Sequence, residues 1–255
     1  EPVEVVEFSD HLADEDAVAE RLQPFDVVIA MRERTEFRRT LLERLPNLRL
    51  LVTTGLRNKS IDVEAANERG ITVCGTGIRP NGTAELTWGL ILAAARHIPQ
   101  EDASVRAGGW QETVGLDLAG ARLGVVGLGG QGGQVARIGQ AFGMEVVAWS
   151  QNLTDERAAE VGVRRVERDE LFATSDVVTV HLLLSKRTRG LIGADDLALM
   201  KHTAILINTS RGPIVEQRAL LDALHQGSIG GAGLDVFDQE PLPLDHPLRR
   251  APRTV

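Results

Sequence analysis

The chain is short of cysteine, of lysine and of long apolar runs, and each shortage excludes something. A single cysteine, Cys74, permits no intrachain disulfide and fits a reducing cytoplasm. No apolar run approaches the roughly 20 residues needed to cross a bilayer. The longest candidate, residues 86–95, is interrupted by Thr87 and Gly89 and reads as a buried helix. The first residues, Glu1-Pro2-Val3-Glu4, are acidic and do not read as a secretory leader. Positive charge is scarce: 28 Lys and Arg face 36 Asp and Glu, a net charge of −8, which disfavours nonspecific nucleic-acid binding. Only three of those cations are lysines, so an anionic substrate would be held by a few local arginines. There is no low-complexity segment and no detectable repeat. At 255 residues and 43% hydrophobic, the chain can bury a sizeable core in one large domain or two ordinary ones.

What is present is a glycine turn. Val126-Gly127-Leu128-Gly129-Gly130-Gln131-Gly132 follows an apolar run at 122–126 and precedes a helical pattern from Gly133 to Phe142. Strand, turn and helix at G-x-G-x-x-G spacing form the context a dinucleotide site needs. Gly127 would allow the tight turn, Gly129 would let a pyrophosphate approach the backbone, and Gly132 would let helix and strand pack closely. The diphosphate would sit at a helix N-terminus, where free N–H groups and the dipole favour an anion. The plainer reading is a tight turn without a ligand; the second apolar strand, residues 144–149, argues for the site. NAD-selective sites place an acid about 20 residues past the glycines, on the ribose 2′-OH. Here Ser150, eighteen residues after Gly132, holds that place, and the nearest following arginine in sequence is Arg157. Nothing at Ser150 repels a 2′-phosphate and no adjacent arginine attracts one, so the residues predict weak discrimination between NAD and NADP.

Apolar runs at 3–8, 25–30, 48–53 and 71–74 alternate with helical stretches at 14–22, 37–45 (stopped by Pro46) and 63–69. This is the strand–helix alternation of a parallel, doubly wound sheet. A Gly/Pro-rich joint, residues 75–82, leads to a long helix over 83–98, stopped by Pro99. Further strands are expected at 177–181, 204–208 and 233–237. The fold class is α/β with two doubly wound parallel-sheet domains: a first over 1–77 and a Rossmann domain over 78–255.

Asn208-Thr209-Ser210-Arg211-Gly212 ends one strand and residues 233–241, Gly-Leu-Asp-Val-Phe-Asp-Gln-Glu-Pro, end the next. With the glycine turn, His181-Leu182-Leu183-Leu184-Ser185 and Thr188-Arg189-Gly190-Leu191-Ile192, they stand in the order of a known set. The chain resembles the D-isomer-specific 2-hydroxyacid dehydrogenase family along essentially its whole length. The resemblance implies a flavodoxin-like substrate domain, incomplete over 1–77, beside the NAD(P)-binding domain, and a homodimer. It implies hydride transfer between a nicotinamide cofactor and a small D-2-hydroxy or 2-oxo acid. A noncatalytic dinucleotide-binding, dimerising or redox-sensing module is the alternative; Arg211 and Glu240 favour the enzyme, because a pure binder has no need of them.

The residues support parts of this on their own chemistry. Ligands of open α/β sheets bind beyond the carboxyl ends of the strands. Arg211 lies at such an end, and its planar fork suits the carboxylate and adjacent carbonyl of a 2-oxo acid; a surface ion pair is the other reading. The implied cofactor contacts are Gly127, Gly129, Gln131, Gly132, Ser150, His181, Thr209, Ser210 and Asp235, with Asp235 meeting the nicotinamide carboxamide or else capping a helix. The resemblance implies that Glu240 pairs with a histidine, raising its pKa and fixing its tautomer; the other reading is a solvated loop carboxylate. By the same resemblance, Thr54-Gly55-Leu56-Arg57 occupies the place of the family's glycine-containing loop, whose backbone N–H groups hold the substrate carboxylate. Arg57 departs from the small residue common there; it selects a second anionic group or faces solvent. Arg79, Thr83 and Glu85 border the joint and would face the nicotinamide. No metal site is expected.

Reduction of a ketone needs a proton for the oxygen, and histidine suits that near neutral pH. None of the six histidines has the family's Thr-Pro-His context, and His246, in Asp245-His246-Pro247, reads as structural. The expectation is a catalytic histidine just beyond Val255, with both ends of the chain clipped.

Overall fold

The computed structural model describes residues 3–56, 58–77 and 81–255. The chain divides into two compact units, Glu1–Arg79 and Pro80–Val255.

In the first unit, α1 (Glu15–Leu22) leads to β1 (Val27–Ala30), α2 (Arg39–Leu42), β2 (Leu50–Thr53), α3 (Val63–Glu68) and β3 (Thr72–Gly75). The strands form a parallel sheet in the order β1-β2-β3. Three strands in sequence order are what a flavodoxin-like sheet carries on one side of its switch point. Asp14 caps α1 by accepting from the Ala17 amide, and Asp62 caps α3 by accepting from the Ala65 amide, each replacing a partner that the helix start lacks. Val18, Leu41, Leu42, Leu51, Ala65 and Phe37 pack between helices and sheet. The helix expected over 37–45 contracts to four residues, because Phe37 leaves for a parallel bridge to Ile61. The strand expected over 3–8 is absent: Val3 is 85% and Val5 82% exposed. The apolar-rich run there has no neighbouring strand to complete a ladder.

The second unit opens with α4 (Gly82–Ala95) and α5 (Ile98–Arg106). The helix expected over 83–98 ends earlier, and Pro99 starts the next one instead of stopping the first. His97, with φ 52°, makes the corner, and proline is tolerated in a first turn whose N–H groups have no helical partner. Then come β4 (Arg122–Val126), α6 (Gly130–Ala141), β5 (Glu145–Trp149), α7 (Asp155–Val161), β6 (Arg164–Arg165), α8 (Arg168–Thr174), β7 (Val177–Val180), α9 (Ala194–Leu199), β8 (Ile205–Asn208), α10 (Gln217–Gln226) and β9 (Gly231–Leu234). The last strand starts and ends earlier than expected, which puts Asp235 just past its end.

All six strands are parallel, in the order β6-β5-β4-β7-β8-β9, the doubly wound Rossmann arrangement. Both faces are covered, so β4, β5, β7 and β8 read as largely apolar runs. Val125, Val146, Ala148 and Ile207 pack with α4 and α6 on one face; Val126, Val147, Val178, Val180 and Leu206 pack with α8, α9 and α10 on the other. The order reverses between β4 and β7, and the glycine turn lies at that switch point. No helix among the described residues is long and apolar enough to cross a membrane.

Candidate functional site

At the end of β4, Gly127 takes φ 102°, and its amide donates to the Trp149 carbonyl at 2.8 Å. A Cβ there would lie 2.5 Å from the His181 carbonyl oxygen, and one at Gly132 would lie 2.0 Å from the Gly127 carbonyl oxygen. Only glycine fits either place, so the turn and the helix–strand contact have the cause read from the sequence. At Gly129 and Gly130 a Cβ would meet nothing within 4 Å, so backbone there faces open space. Helix α6 begins at Gly130 with no side-chain cap and no acid in its first turn. Its first amides therefore meet no competing anion, and a diphosphate fits the cradle without displacing a side chain. Gln131 donates from Nε2 to Thr83 Oγ1 at 3.2 Å, tying the turn to α4.

The neighbouring strand ends complete this edge. Ser150 follows β5 directly, half-buried, with its carbonyl accepting from the Leu153 amide at 3.0 Å. Beside it the fold brings a cation that sequence distance concealed. Arg168, the first residue of α8, stands over the Trp149 ring at 5.6 Å while Nη2 donates to Asp196 at 2.7 Å. His181 follows β7. Its Nε2 meets Thr179 Oγ1 at 2.9 Å, while Nδ1 is buried without a protein partner. Burial pulls its pKa down to about 4, so the ring is neutral near pH 7 and can pair with a donor or an acceptor according to tautomer.

Beyond β8, Asn208 fixes the next turn. Its Oδ1 accepts from the Ser210 amide and its Nδ2 donates to the Arg211 carbonyl, both at 3.0 Å. Ser210 Oγ donates to the Val180 carbonyl at 2.7 Å, and the Thr209 hydroxyl meets that of Thr87 at 2.8 Å. The turn is thus held at three points while the Arg211 side chain stays exposed, its Nη1 donating to the Ser210 carbonyl at 2.7 Å. Asp235 follows β9, exposed, its amide donating to the Asn208 carbonyl at 3.1 Å. Glu240 accepts from the Phe237 amide at 3.0 Å and so shapes its own loop. His246 accepts at Nδ1 from the Leu248 amide at 3.2 Å and caps a short 3-10 turn, the structural role expected for it.

The six-stranded sheet therefore gathers the glycine turn, Ser150, His181, Thr209, Ser210, Arg211 and Asp235 at the carboxyl ends of five strands. Sequence reasoning missed Thr87, Asn208 and Arg168. A hydroxyl within an apolar helix and an asparagine ending an apolar strand were the available signals for the first two; Arg168 had none.

In the first unit the loop after β2 departs from expectation. Gly55 takes φ 114°. The Thr54 amide donates to the Ala30 carbonyl at 3.0 Å and the Gly55 amide to Thr76 Oγ1 at 3.0 Å, so these two N–H groups already serve the protein. Leu56 is 70% exposed. Arg57 and Arg79 lie outside the described residues.

Comparison with known proteins agrees with this geometry. Residues 88–255 match the family described as D-isomer specific 2-hydroxyacid dehydrogenase, NAD binding domain. A glyoxylate reductase of Aeropyrum pernix is 43% identical over 218 residues, 82% of this chain and 65% of that protein. A D-3-phosphoglycerate dehydrogenase of Methanocaldococcus jannaschii is 40% identical over 252 residues, 97% of this chain and 48% of that protein. The chain thus spans about half to two thirds of the length of these relatives. The crystal structure of a phosphoglycerate oxidoreductase from Vibrio cholerae superposes with a TM-score of 0.90 at 38% identity, covering 97% of this chain and 81% of that one. The chain belongs to the D-isomer specific 2-hydroxyacid dehydrogenase family. Its residues 88–255 are that family's NAD-binding domain, and its cofactor is NAD.

Proposed function

We propose that the protein is an oxidoreductase that moves a hydride between NAD and a small 2-oxo or D-2-hydroxy acid. The observation that carries this reading is Arg211. A dinucleotide cradle needs no exposed guanidinium on a turn held by Asn208, Ser210 and Thr209, whereas a 2-oxo acid needs a fork to hold its carboxylate and carbonyl. This favours an enzyme over a noncatalytic binding module.

The cofactor, when bound, supplies or accepts the hydride. The first amides of α6 would hold its diphosphate, and Ser150 would meet the adenine-side ribose. His181, Thr209, Ser210 and Asp235 would line the rest of its course. Arg211 would bind the substrate carboxylate and draw electron density from the carbonyl oxygen, favouring hydride addition. The first unit is read as the substrate domain. The relatives' printed names point to glyoxylate, hydroxypyruvate and the 3-phosphoglycerate couple as substrates to try.

A homodimer in the cytoplasm is part of the same reading. Ile98, Val105, Trp110 and Val114 are 52%, 51%, 75% and 95% exposed along one stretch, an apolar surface suited to a second copy; sedimentation velocity reads the mass. The activity test is NADH oxidation with glyoxylate, hydroxypyruvate, pyruvate and 3-phosphohydroxypyruvate. On the full-length protein, turnover of at least one supports the reading, and NADH binding without turnover of any favours the binding module.

A further inference from the structure

The buried hydroxyls behind the Arg211 turn have a direction. Thr87 is fully buried in the middle of α4, and its Oγ1 donates to the Thr83 carbonyl at 2.7 Å. A hydroxyl has one proton. The 2.8 Å contact between Thr87 and Thr209 is therefore donated by Thr209 and accepted by Thr87. Ser210 has likewise given its proton to the Val180 carbonyl. Both hydroxyls of the turn commit their protons to the protein, so the capacity each retains is that of an acceptor. At the other end of the edge, the first amides of α6 offer only donors. The edge is thus polarised: donors at the glycine turn, hydroxyl acceptors at the β8 turn. A diphosphate suits the first, and a group bearing N–H or O–H suits the second.

We propose that Thr87 is a positioning residue for the cofactor site. By accepting the Thr209 proton it pins the first residue of the Arg211 turn and keeps that turn an acceptor, so the group docking there is a hydrogen-bond donor from the nicotinamide half of the dinucleotide. The inference rests on the reading that this unit binds NAD along its carboxyl edge. Thr87→Val deletes the acceptor and leaves the Thr209 hydroxyl free to turn outward; Thr87→Ser keeps the acceptor.

Calorimetric titration of wild type, Thr87→Val and Thr87→Ser with NADH and with ADP tests this, because ADP carries the diphosphate but no nicotinamide half. One neutral hydrogen bond predicts that Thr87→Val weakens NADH by roughly three- to tenfold, while its ADP affinity and both affinities of Thr87→Ser stay within about twofold of wild type. Thr87→Val together with Thr209→Val should lose no more NADH affinity than the worse of the two single changes, since the two hydroxyls act as one unit. Equal weakening of NADH and ADP, unchanged NADH affinity in Thr87→Val, or failure of serine to preserve it would overturn the proposal. A wild-type protein that binds neither ligand would instead overturn the assignment of the cradle to NAD.

Discussion

The backbone of Gly212 runs so close to that of Phe237 that a Cβ at position 212 would lie 2.1 Å from the Phe237 carbonyl carbon. The turn that carries Arg211 is thereby pressed against the loop that carries Asp235 and Glu240. Gly212→Ala should cost about 1–3 kcal/mol, the usual range for forcing extra volume into a packed site. Substrate KM should rise as the two loops part. Thermal unfolding and steady-state kinetics on the same variant read both effects; an unchanged melting temperature contradicts the close approach.

Arg211 is the sharpest point of the functional reading. Charge-assisted hydrogen bonds contribute roughly 1.5–3 kcal/mol each, so losing two in Arg211→Ala should cut kcat/KM by about a hundredfold or more. Arg211→Lys keeps the charge but loses the fork, and should recover only part. NADH affinity, measured by quenching of tryptophan emission, should change little in either. Near-normal turnover of every 2-oxo acid by Arg211→Ala would remove the residue from the substrate site.

The cradle was legible in the sequence because G-x-G-x-x-G spacing after an apolar run is a local pattern. The contact that excludes a Cβ at Gly132 lies within that turn, whereas the one at Gly127 comes from the His181 carbonyl oxygen at the end of β7. Strands buried on both faces read as apolar runs, which made β4, β5, β7 and β8 plain. What spacing could not report is contact at a distance. Arg168 reaches Trp149 only because β6 lies beside β5, and Thr87 meets Thr209 across 122 positions of sequence. Residues 3–8 show the opposite failure: an apolar-rich run suggests a strand, but the ladder needs a neighbour.

Ser150 sets the prediction for cofactor choice. With no carboxylate at the ribose position, NADPH should bind within reach of NADH. Ser150→Asp should weaken NADPH by roughly tenfold or more through charge repulsion, with NADH affinity kept or improved. The ratio of the two dissociation constants before and after the change is the readout. An unchanged ratio would place the ribose elsewhere.

His181 makes stability depend on pH in a set direction. Burial lowers its pKa to about 4 from the usual 6.5, so between these values the unfolded chain binds the proton and the folded one does not. Stability from this group is full above about pH 6.5 and falls as pH drops toward 4, by an amount on the order of 3 kcal/mol. His181→Gln should flatten that part of the curve. Urea midpoints from pH 7 to pH 4 for both proteins check it, and parallel curves would mean the ring is not held neutral.

The central claim is that hydride passes directly between NAD and a 2-oxo acid on this protein. The most direct measurement uses NADH deuterated at the transferring position of the nicotinamide, incubated with the full-length protein and a 2-oxo acid whose product is chiral, hydroxypyruvate or pyruvate. Mass spectrometry and chiral separation then read the product. The account predicts a 2-hydroxy acid carrying one deuterium at C2, in the D configuration. A product without deuterium at C2, or one of L configuration, would contradict it.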